Sequence, residues 1–338
     1  MLVYFLARKN LSSYSIKPNK LNSVLGFIFS VIQGITLLLI LIAYFSLITV
    51  AKAGVTNDEF TVSYYANAQR QTIQGIKTPN GYRFNGDSNK VVNLATVNWP
   101  PYISEYACNK GWVFQFTVAL LVSKGYQVNI HFYPWARSVM LVEQGKMDIL
   151  FPEYFIESSA PSDAVLGKKR RELLVLSNKF SGGDLSLLKR KGYAFNLQQN
   201  LGNLKGKIIG VVRGYQNTPE FDAMMDAKQF DVVEAVDELQ LVKLLVAKRV
   251  DLIIGDPSVF IYSVNYSNLS NRNKQALLNS IEKIEPAIKY NHLYYAISNS
   301  YPNHHQLLDD INLALLEFKQ SGETNRFIEA GSGCTLDF

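Results

Sequence analysis

Two large aromatic residues flank a pair of prolines directly after an apolar run. The segment is Trp99-Pro100-Pro101-Tyr102, and the run before it spans residues 91–97. A strand cannot continue pairing through two prolines, because neither supplies a backbone donor. We therefore expect both rings at the carboxyl end of a buried strand, the edge where open α/β sheets bind ligands. A Pro-rich turn whose rings only cover the core is the alternative.

Two acids occupy equivalent positions after two similar segments of the sequence. Residues 141–150 and 244–253 each combine a helix end, a basic turn, an Asp and an apolar strand. Glu153 and Asp256 each follow five residues after the Asp of their segment. Both acids are predicted to leave the carboxyl edge of a parallel strand, so two similar lobes facing each other would bring them to one cleft. Generic α/β patterning is the alternative explanation.

Strand and helix patterns alternate over residues 91–151 and again over residues 207–254. Residues 113–121 carry apolar side chains at helical spacing, and Gly125 lies where a helix would end. Such alternation predicts parallel sheets with crossover helices. Residues 54–90, rich in Asn, Gln, Gly and Tyr, are predicted to form an irregular N-terminal extension.

The charge distribution argues against a nucleic-acid-binding protein. The chain has 338 residues, typical of about two domains, and a formal net charge of +6. Residues 1–53 contain basic residues but no acid, so the remainder of the chain is near neutral. No electrostatic argument for a nucleic-acid partner is left.

Residues 1–53 are predicted to be an export signal. Basic residues come first, an apolar run over residues 24–50 follows, and Ala51-Lys52-Ala53 provides a small-x-small cleavage site. Cleavage is predicted after Ala53. Because the apolar run is also long enough to span a bilayer, an uncleaved membrane anchor is the alternative.

The cysteine and histidine content predicts no metal site. Cys108 and Cys334 are the two cysteines, and an even count in an exported chain permits one disulfide, with two unpaired thiols as the alternative. Their spacing fits no zinc motif, and the adjacent His304 and His305 cannot both face one metal from a regular helix. The sequence contains no phosphate-binding Gly-rich loop and no Gly-x-Ser-x-Gly elbow. We therefore predict no catalytic residue, metal or cofactor.

Seven short motifs follow one another along residues 91–330. They are Trp99-Pro100-Pro101-Tyr102, Gly125-Tyr126, Pro134-Trp135, Gly145-Lys146-Met147-Asp148, residues 204–211, Lys248-Arg249-Val250-Asp251 and Gly322. In this order they resemble the bacterial periplasmic solute-binding proteins of the polar-amino-acid type, extracellular solute-binding family 3. The resemblance implies an α/β, two-lobed periplasmic-binding-protein fold of type II. In that fold each lobe is a mostly parallel sheet with helices on both faces, and two crossover strands join the lobes.

The resemblance also implies domain bounds and ligand contacts. Lobe 1 would comprise residues 91–183 and 288–338, and lobe 2 residues 184–287. Trp99 and Trp135 match positions where the family places aromatic rings against the ligand, with core packing as the alternative. Tyr102, the second ring of the first motif, is predicted to line the same cleft.

Three charged residues match family positions or lie beside one. Arg170 matches the arginine that grips a ligand carboxylate, although the basic run it belongs to also permits Arg171 in that register. Asp256 matches the acid that holds a ligand ammonium, and a helix N-cap before Pro257 is its alternative. Arg213 is predicted to point into the cleft, with a place on the rim as the alternative.

Two further features bear on the ligand. Gly214-Tyr215 matches the turn whose backbone amides meet a ligand carboxylate. Glu153 departs from the family, because many amino-acid binders have small hydroxyl residues at this point of the chain. The departure keeps a cationic, aromatic or polyamine-like ligand open beside an amino-acid-like one.

The function that the resemblance implies is binding without catalysis. We expect a monomeric periplasmic protein that captures a small polar solute, amino-acid-like or cationic, for uptake by an inner-membrane ABC permease. A lyase or dehydratase on the same scaffold is one alternative, and Glu153 would be its general acid. A membrane-anchored sensory or accessory receptor is the other.

Overall fold

The computed structural model describes residues 28–40 and 59–332. The chain divides into two compact units, Met1–Asn57 and Asp58–Phe338. In the first unit the described residues form a helix with exposed side chains. None of the helices within the described ranges combines the length and the apolar character that a membrane crossing requires. The predicted cleavage site after Ala53 lies outside these ranges, so cleavage and anchoring both stay predictions.

Three antiparallel strands, rather than an irregular extension, open the second unit. They are β1 (Glu59–Ala66), β2 (Gln69–Thr78) and β3 (Gly81–Phe84), and they pair in sequence order. The prediction of irregular structure over residues 54–90 is therefore wrong where these strands lie. Strand β2 buries only two of its ten residues, because an antiparallel strand at a sheet margin packs one face on the core. Polar composition is compatible with such a strand.

The parallel centre of lobe 1 follows the predicted alternation. Strand β4 (Lys90–Thr96) pairs in parallel with β5 (Tyr126–Phe132) and β6 (Ile149–Glu153), and β5 also pairs with β3. Helices α1 (Trp112–Ser123) and α2 (Trp135–Glu143) connect these strands. The carboxyl ends of β4 and β6 therefore lie side by side, as predicted.

Two long strands join the lobes. Strands β8 (Phe180–Arg190) and β13 (Lys289–Ser298) pair antiparallel with each other. Strand β13 also pairs with β6, whereas β8 also pairs with a strand of lobe 2. Before β8 come a short helix, α3 (Arg170–Leu173), and β7 (Leu174–Leu176). The two predicted crossover strands are confirmed.

Lobe 2 contains a second run of parallel strands, in which β9 (Ile208–Val212) pairs with both β10 (Asp231–Ala235) and β11 (Leu252–Gly255). Its helix α5 (Glu238–Val246) is capped by Asp237, whose Oδ1 accepts a hydrogen bond from Gln240 N at 2.8 Å. The elements are a 3₁₀ turn (Leu201–Leu204), β9 (Ile208–Val212), α4 (Pro219–Asp226), β10 (Asp231–Ala235), α5 (Glu238–Val246), β11 (Leu252–Gly255), α6 (Pro257–Asn265), α7 (Asn271–Asn279) and β12 (Ile281–Lys283).

Helices cover both faces of the lobe 2 sheet. Leu252 and Ile254 of β11 belong to one hydrophobic cluster with residues of α4, and Ile253 belongs to another with residues of α5. Alternate residues of a strand point to opposite faces, so the two clusters lie on opposite sides of the sheet. A third and larger cluster fills lobe 1, to which α8 (His304–Gln320) and α9 (Glu323–Ser332) contribute. The predicted α/β architecture is confirmed.

Candidate functional site

The aromatic turn after β4 forms as predicted. Trp99 N donates to Ile103 O at 2.6 Å and Ile103 N donates back to Trp99 O at 3.0 Å, which closes the Pro-Pro segment into a tight turn. The rings of Trp99 and Tyr102 stack with their centroids 4.4 Å apart at an interplanar angle of 21°. Both side chains are buried. The turn therefore presents a rigid aromatic pair at the carboxyl edge of lobe 1.

Tyr102 meets Asp256 of lobe 2. Tyr102 Oη donates to Asp256 Oδ2 at 2.6 Å, and burial, then the nearby carboxylate, raises the pKa of Tyr102, so this phenol keeps its proton. Asp256 Oδ1 accepts from Ser258 N at 2.8 Å and from Ser258 Oγ at 2.6 Å. The N-cap alternative for Asp256 is thus confirmed, because one oxygen caps α6, while the other accepts from Tyr102 and its contact with a ligand stays a prediction.

A glycine of the crossover strand β8 leaves room for this contact. A Cβ atom added to Gly183 would lie 2.1 Å from Tyr102 Oη and 2.2 Å from Asp256 Oδ2. Any side chain at this position would overlap the hydrogen-bonded pair. The lobe 1 tyrosine, the lobe 2 aspartate and the connecting strand therefore form one packed unit.

A second contact between the lobes involves Trp135. Its Nε1 donates to Gly214 O at 3.1 Å, and its ring meets the ring of Tyr215 edge-on at 5.8 Å. Gly214 has a φ of +81°, which favours glycine, and a Cβ there would lie 3.4 Å from Cα of Ala136. The predicted turn is at the cleft, and its carbonyl group is engaged by lobe 1.

Carboxylates of the protein itself surround Arg170. Only 4% of this residue is exposed. Its Nε donates to Glu143 Oε1 at 2.5 Å, its Nη2 to Glu153 Oε2 at 2.9 Å, and its Nη1 to Gln216 Oε1 of lobe 2 at 3.3 Å. Burial raises the pKa of Glu153 and Arg170 opposes that shift. Arg170 is therefore the buried arginine of the basic run, and each of its nitrogens already has a protein acceptor.

Glu238, which sequence reasoning missed, is a buried acid directly behind Trp99 and Tyr215 of the cleft wall. It is 3% exposed, and its Oε1 accepts from Tyr215 Oη at 2.9 Å. Trp99 of lobe 1 also hydrogen-bonds its side chain. Burial raises the pKa of Glu238 to about 7, against the lowering effect of these hydrogen bonds. Because Glu238 follows the N-cap Asp237, where an acid is ordinary, the sequence offered no signal that this acid is special.

Residues of both lobes enclose a cleft of about 290 Å³ of atom-free space, part of it open to solvent. Trp99 meets Tyr154 edge-on at a centroid distance of 5.8 Å. Burial and the charges of Asp256, Glu238 and Glu153 raise the pKa of Tyr154, which sequence reasoning also missed. The cleft is lined by Val97, Trp99, Trp135, Pro152, Glu153, Tyr154, Tyr215 and Gln216. This described lining contains one acid and no basic residue.

Arg213 lies elsewhere. Its Nε donates to Glu234 Oε2 at 2.8 Å in an ion pair whose side chains are 61% and 51% exposed. The prediction that Arg213 points into the cleft is therefore wrong, and a place on the rim stays a prediction. After β9 the chain turns, so that Arg213 is exposed whereas Tyr215, two residues on, is half-buried and lines the cleft.

Two further predictions concern the disulfide and the lack of a metal site. Cys108 is disulfide-bonded, but Cys334 lies outside the described residues, so its pairing with Cys108 stays a prediction. Within residues 28–40 and 59–332 no cluster of His, Cys, Asp or Glu could hold a metal ion.

No protein-family profile and no curated protein matches the chain. Solved structures do match. An ancestral arginine-binding protein bound to arginine is 18% identical with a TM-score of 0.58, over 73% of this chain and 100% of that one. A histidine kinase sensor domain with similarity to periplasmic binding proteins is 15% identical with a TM-score of 0.57, over 73% and 98%.

A third solved structure is the GluR0 ligand-binding core from Nostoc punctiforme in complex with L-glutamate. It is 16% identical with a TM-score of 0.54, over 71% of this chain and 98% of that one. At such low identity these likenesses establish the fold alone. Residues 59–332 have the two-lobed periplasmic-binding-protein fold of type II that the resemblance implied.

Proposed function

We propose that this protein binds a small polar solute, amino-acid-like or cationic, in the cleft between its lobes. The observation that carries the proposal is the convergence of both lobes on that cleft. Tyr102 and Trp99 of lobe 1 reach Asp256 and Glu238 of lobe 2. A solute that contacts both sides would favour the closed arrangement, because only differential contact shifts such an equilibrium.

Binding without catalysis is the better reading of Glu153. Its Oε2 accepts from Arg170 Nη2 at 2.9 Å and its Oε1 accepts from Tyr154 N at 2.9 Å. A general acid needs a proton that it can donate to a substrate, whereas both oxygens here already accept hydrogen bonds. Incubation with prephenate-like and arogenate-like acids should therefore give no product, and turnover of either acid would favour the lyase alternative.

The proposed role is delivery of the solute to an inner-membrane ABC permease by a monomeric protein exported to the periplasm. In this proposal lobe 1 comprises residues 91–183 and 288–338 and lobe 2 residues 184–287, and the strands within residues 59–84 extend the sheet of lobe 1. The basic and apolar N-terminus supports export. Because a histidine kinase sensor domain shares the fold, an anchored receptor is the second candidate. Mass spectrometry of the mature N-terminus separates the two, since cleavage after Ala53 releases a free binding protein.

A thermal-shift screen tests the binding function. Amino acids, polyamines and small organic acids are added to the full chain, and a true ligand at a hundred times its dissociation constant should stabilise the folded protein by about 2.7 kcal/mol. Absence of any stabilisation across all three classes would contradict the proposal.

Variants of cleft residues test whether the solute binds there. Asp256→Asn removes the charge but keeps a residue that caps helices well, and Trp99→Ala removes one aromatic wall. Each should weaken binding of the screen's best hit about tenfold, equal to about 1.4 kcal/mol. Arg213→Ala is the control, because that side chain lies in an exposed ion pair. Unchanged affinity in both cleft variants, measured by calorimetry on folded protein, would show that the site lies elsewhere.

A further inference from the structure

The ionisable groups in the cleft lining and directly behind it carry an excess of negative charge, and Glu153 is the one that lines the space itself. Glu143 and Glu153 share one guanidinium, that of Arg170, so this buried triad has a formal charge of −1 when all three groups are ionised. Glu238 and Asp256 add two carboxylates on the side of lobe 2. Among the described contacts neither of these two has a basic partner, because hydroxyl, indole and backbone amide groups supply their hydrogen bonds.

Aromatic rings form the rest of the cleft wall. Trp99, Trp135, Tyr154 and Tyr215 all line the space. They are held by ring contacts with one another and with Tyr102. The face of an aromatic ring attracts a cation through its quadrupole, most strongly where water is excluded. Rings and carboxylates at the same cleft therefore favour the same sign of charge in a ligand.

A ligand carboxylate would find few donors at this cleft. The three nitrogens of Arg170 are engaged within the protein, and Gly214 presents its carbonyl to Trp135. Arg213 pairs with Glu234 at the surface. A buried anion without a strong donor loses its hydration with no compensation.

The adjoining part of the cleft, which shares Tyr154 and Gln216 with the first part, also contains more acidic than basic groups. Lys289 lines it, but so do Glu157 and Asp222. The amide of Asn217, which precedes α4, already donates to Asp222 Oδ2 at 3.1 Å. A ligand carboxylate would therefore meet one lysine and two acids in this part of the cleft.

We infer that the cleft selects an organic cation that carries no carboxylate, with Glu153 of the lining, and Glu238 and Asp256 directly behind its aromatic wall, as the counter-charges. The inference rests on the proposed function, since it assumes that the solute occupies this cleft. It specifies the class of that solute as amines and guanidines rather than α-amino acids.

Proton release accompanies binding in this account. Four groups face the Glu238 carboxyl, namely Tyr215, Trp99, Tyr154 and the neighbouring Asp237, and none of them is basic. A cation placed beside Glu238 stabilises its ionised form, so the carboxyl proton passes to solvent as the cation binds. Affinity for a cation should therefore rise by up to about tenfold from pH 6 to pH 8, as Glu238 ionises before the ligand arrives.

Matched ligand pairs test the inference on the full chain. Agmatine differs from L-arginine, and cadaverine from L-lysine, only by the missing carboxylate. We expect calorimetry at pH 8 to show the carboxylate-free member of at least one pair binding at least about tenfold more tightly than its amino acid, and binding more weakly at pH 6. An amino acid that binds as tightly as its amine, or an amine affinity that falls as the pH rises, would overturn the inference and leave the proposed function in place. Failure of all four probes and of every amino acid in the screen would overturn both.

Discussion

The two lobes contribute buried acids of different kinds to the same cleft. In lobe 1, Glu143 and Glu153 are held by Arg170, so the charge is largely compensated within the lobe. In lobe 2, Glu238 and Asp256 meet only neutral donors, two of which, Trp99 and Tyr102, belong to lobe 1. The Arg170 triad therefore stabilises lobe 1, whereas the lobe 2 acids are the ones that we propose as counter-charges for a ligand.

The ion-paired acids of lobe 1 and the acids of lobe 2 also affect the free energy of unfolding in different ways. A buried ion pair adds little net stability over an apolar replacement, yet removing one partner is costly because the other charge stays buried. Burial of Glu238 among neutral donors instead raises its pKa, which favours its protonated form. Breaking each arrangement should therefore give a different signature.

The largest effect is expected from Arg170→Met, which leaves Glu143 and Glu153 buried without their counter-charge. The free energy of unfolding should fall by about 3–5 kcal/mol. Arg213→Met is the matched control, because its ion pair with Glu234 is exposed and should contribute less than about 1 kcal/mol. Urea unfolding of both variants measures the difference, and equal losses would mean that the triad does not stabilise lobe 1 as described.

The next largest effect is a pH dependence of the free energy of unfolding that arises from Glu238. Its folded-state pKa of about 7 exceeds the ordinary value of 4.5, so the folded protein keeps this proton where the unfolded chain has lost it. The stability it contributes is fully present below pH 4.5 and is lost as pH rises through about 7. Relative to Glu238→Gln, the wild-type protein should lose on the order of 2–3 kcal/mol between pH 5 and pH 8. Parallel stability curves for the two proteins would contradict this.

A smaller loss is expected from Gly183→Ala. The added Cβ falls on Tyr102 Oη and Asp256 Oδ2, so the pair must separate or the crossover strand must shift, at a cost of about 1–3 kcal/mol. Gly86→Ala is the control, because its Cβ would meet Arg83 Cδ at 3.9 Å, an ordinary van der Waals distance. Thermal unfolding of the two variants should show a drop for position 183 alone.

The smallest effect distinguishes the two roles of Asp256. Asp256→Ala removes the cap of α6 and should cost about 1 kcal/mol more than Asp256→Asn, which keeps a good capping residue. Both variants lose the charge that faces Tyr102. Chemical denaturation gives the difference in stability, and indistinguishable variants would show that the cap at α6 contributes nothing measurable.

Local patterns predicted the elements whose cores are continuous and apolar. Short apolar runs predicted the strands β4, β6, β9 and β11, and the prolines predicted the turn at residues 99–102. The polar hairpin strands β1 and β2 were missed because only one face of each is covered. Helix α7 was missed too, since the nine residues of Asn271–Asn279 are mostly polar and only Lys274 is buried.

The pairing of charges at the cleft could not be read from sequence. Arg170 lies 27 residues from Glu143 and 17 from Glu153 along the chain, and no spacing rule joins residues on separate elements. Glu238 resembles any acid in the first turn of a helix until Trp99 and Tyr215 are placed against it. Sequence predicted where the cleft lies, and the fold decides which charges are left for a ligand.

The most direct test compares two acids of lobe 2 that are four residues apart. Glu238 is buried against Trp99 and Tyr215 of the cleft wall, whereas Glu234 is exposed on the surface. At pH 8 we expect Glu238→Gln to weaken agmatine binding by about tenfold, as for the loss of one counter-charge, and Glu234→Gln to leave the dissociation constant within about twofold. Equal dissociation constants for the two variants, with agmatine still bound, would contradict the account.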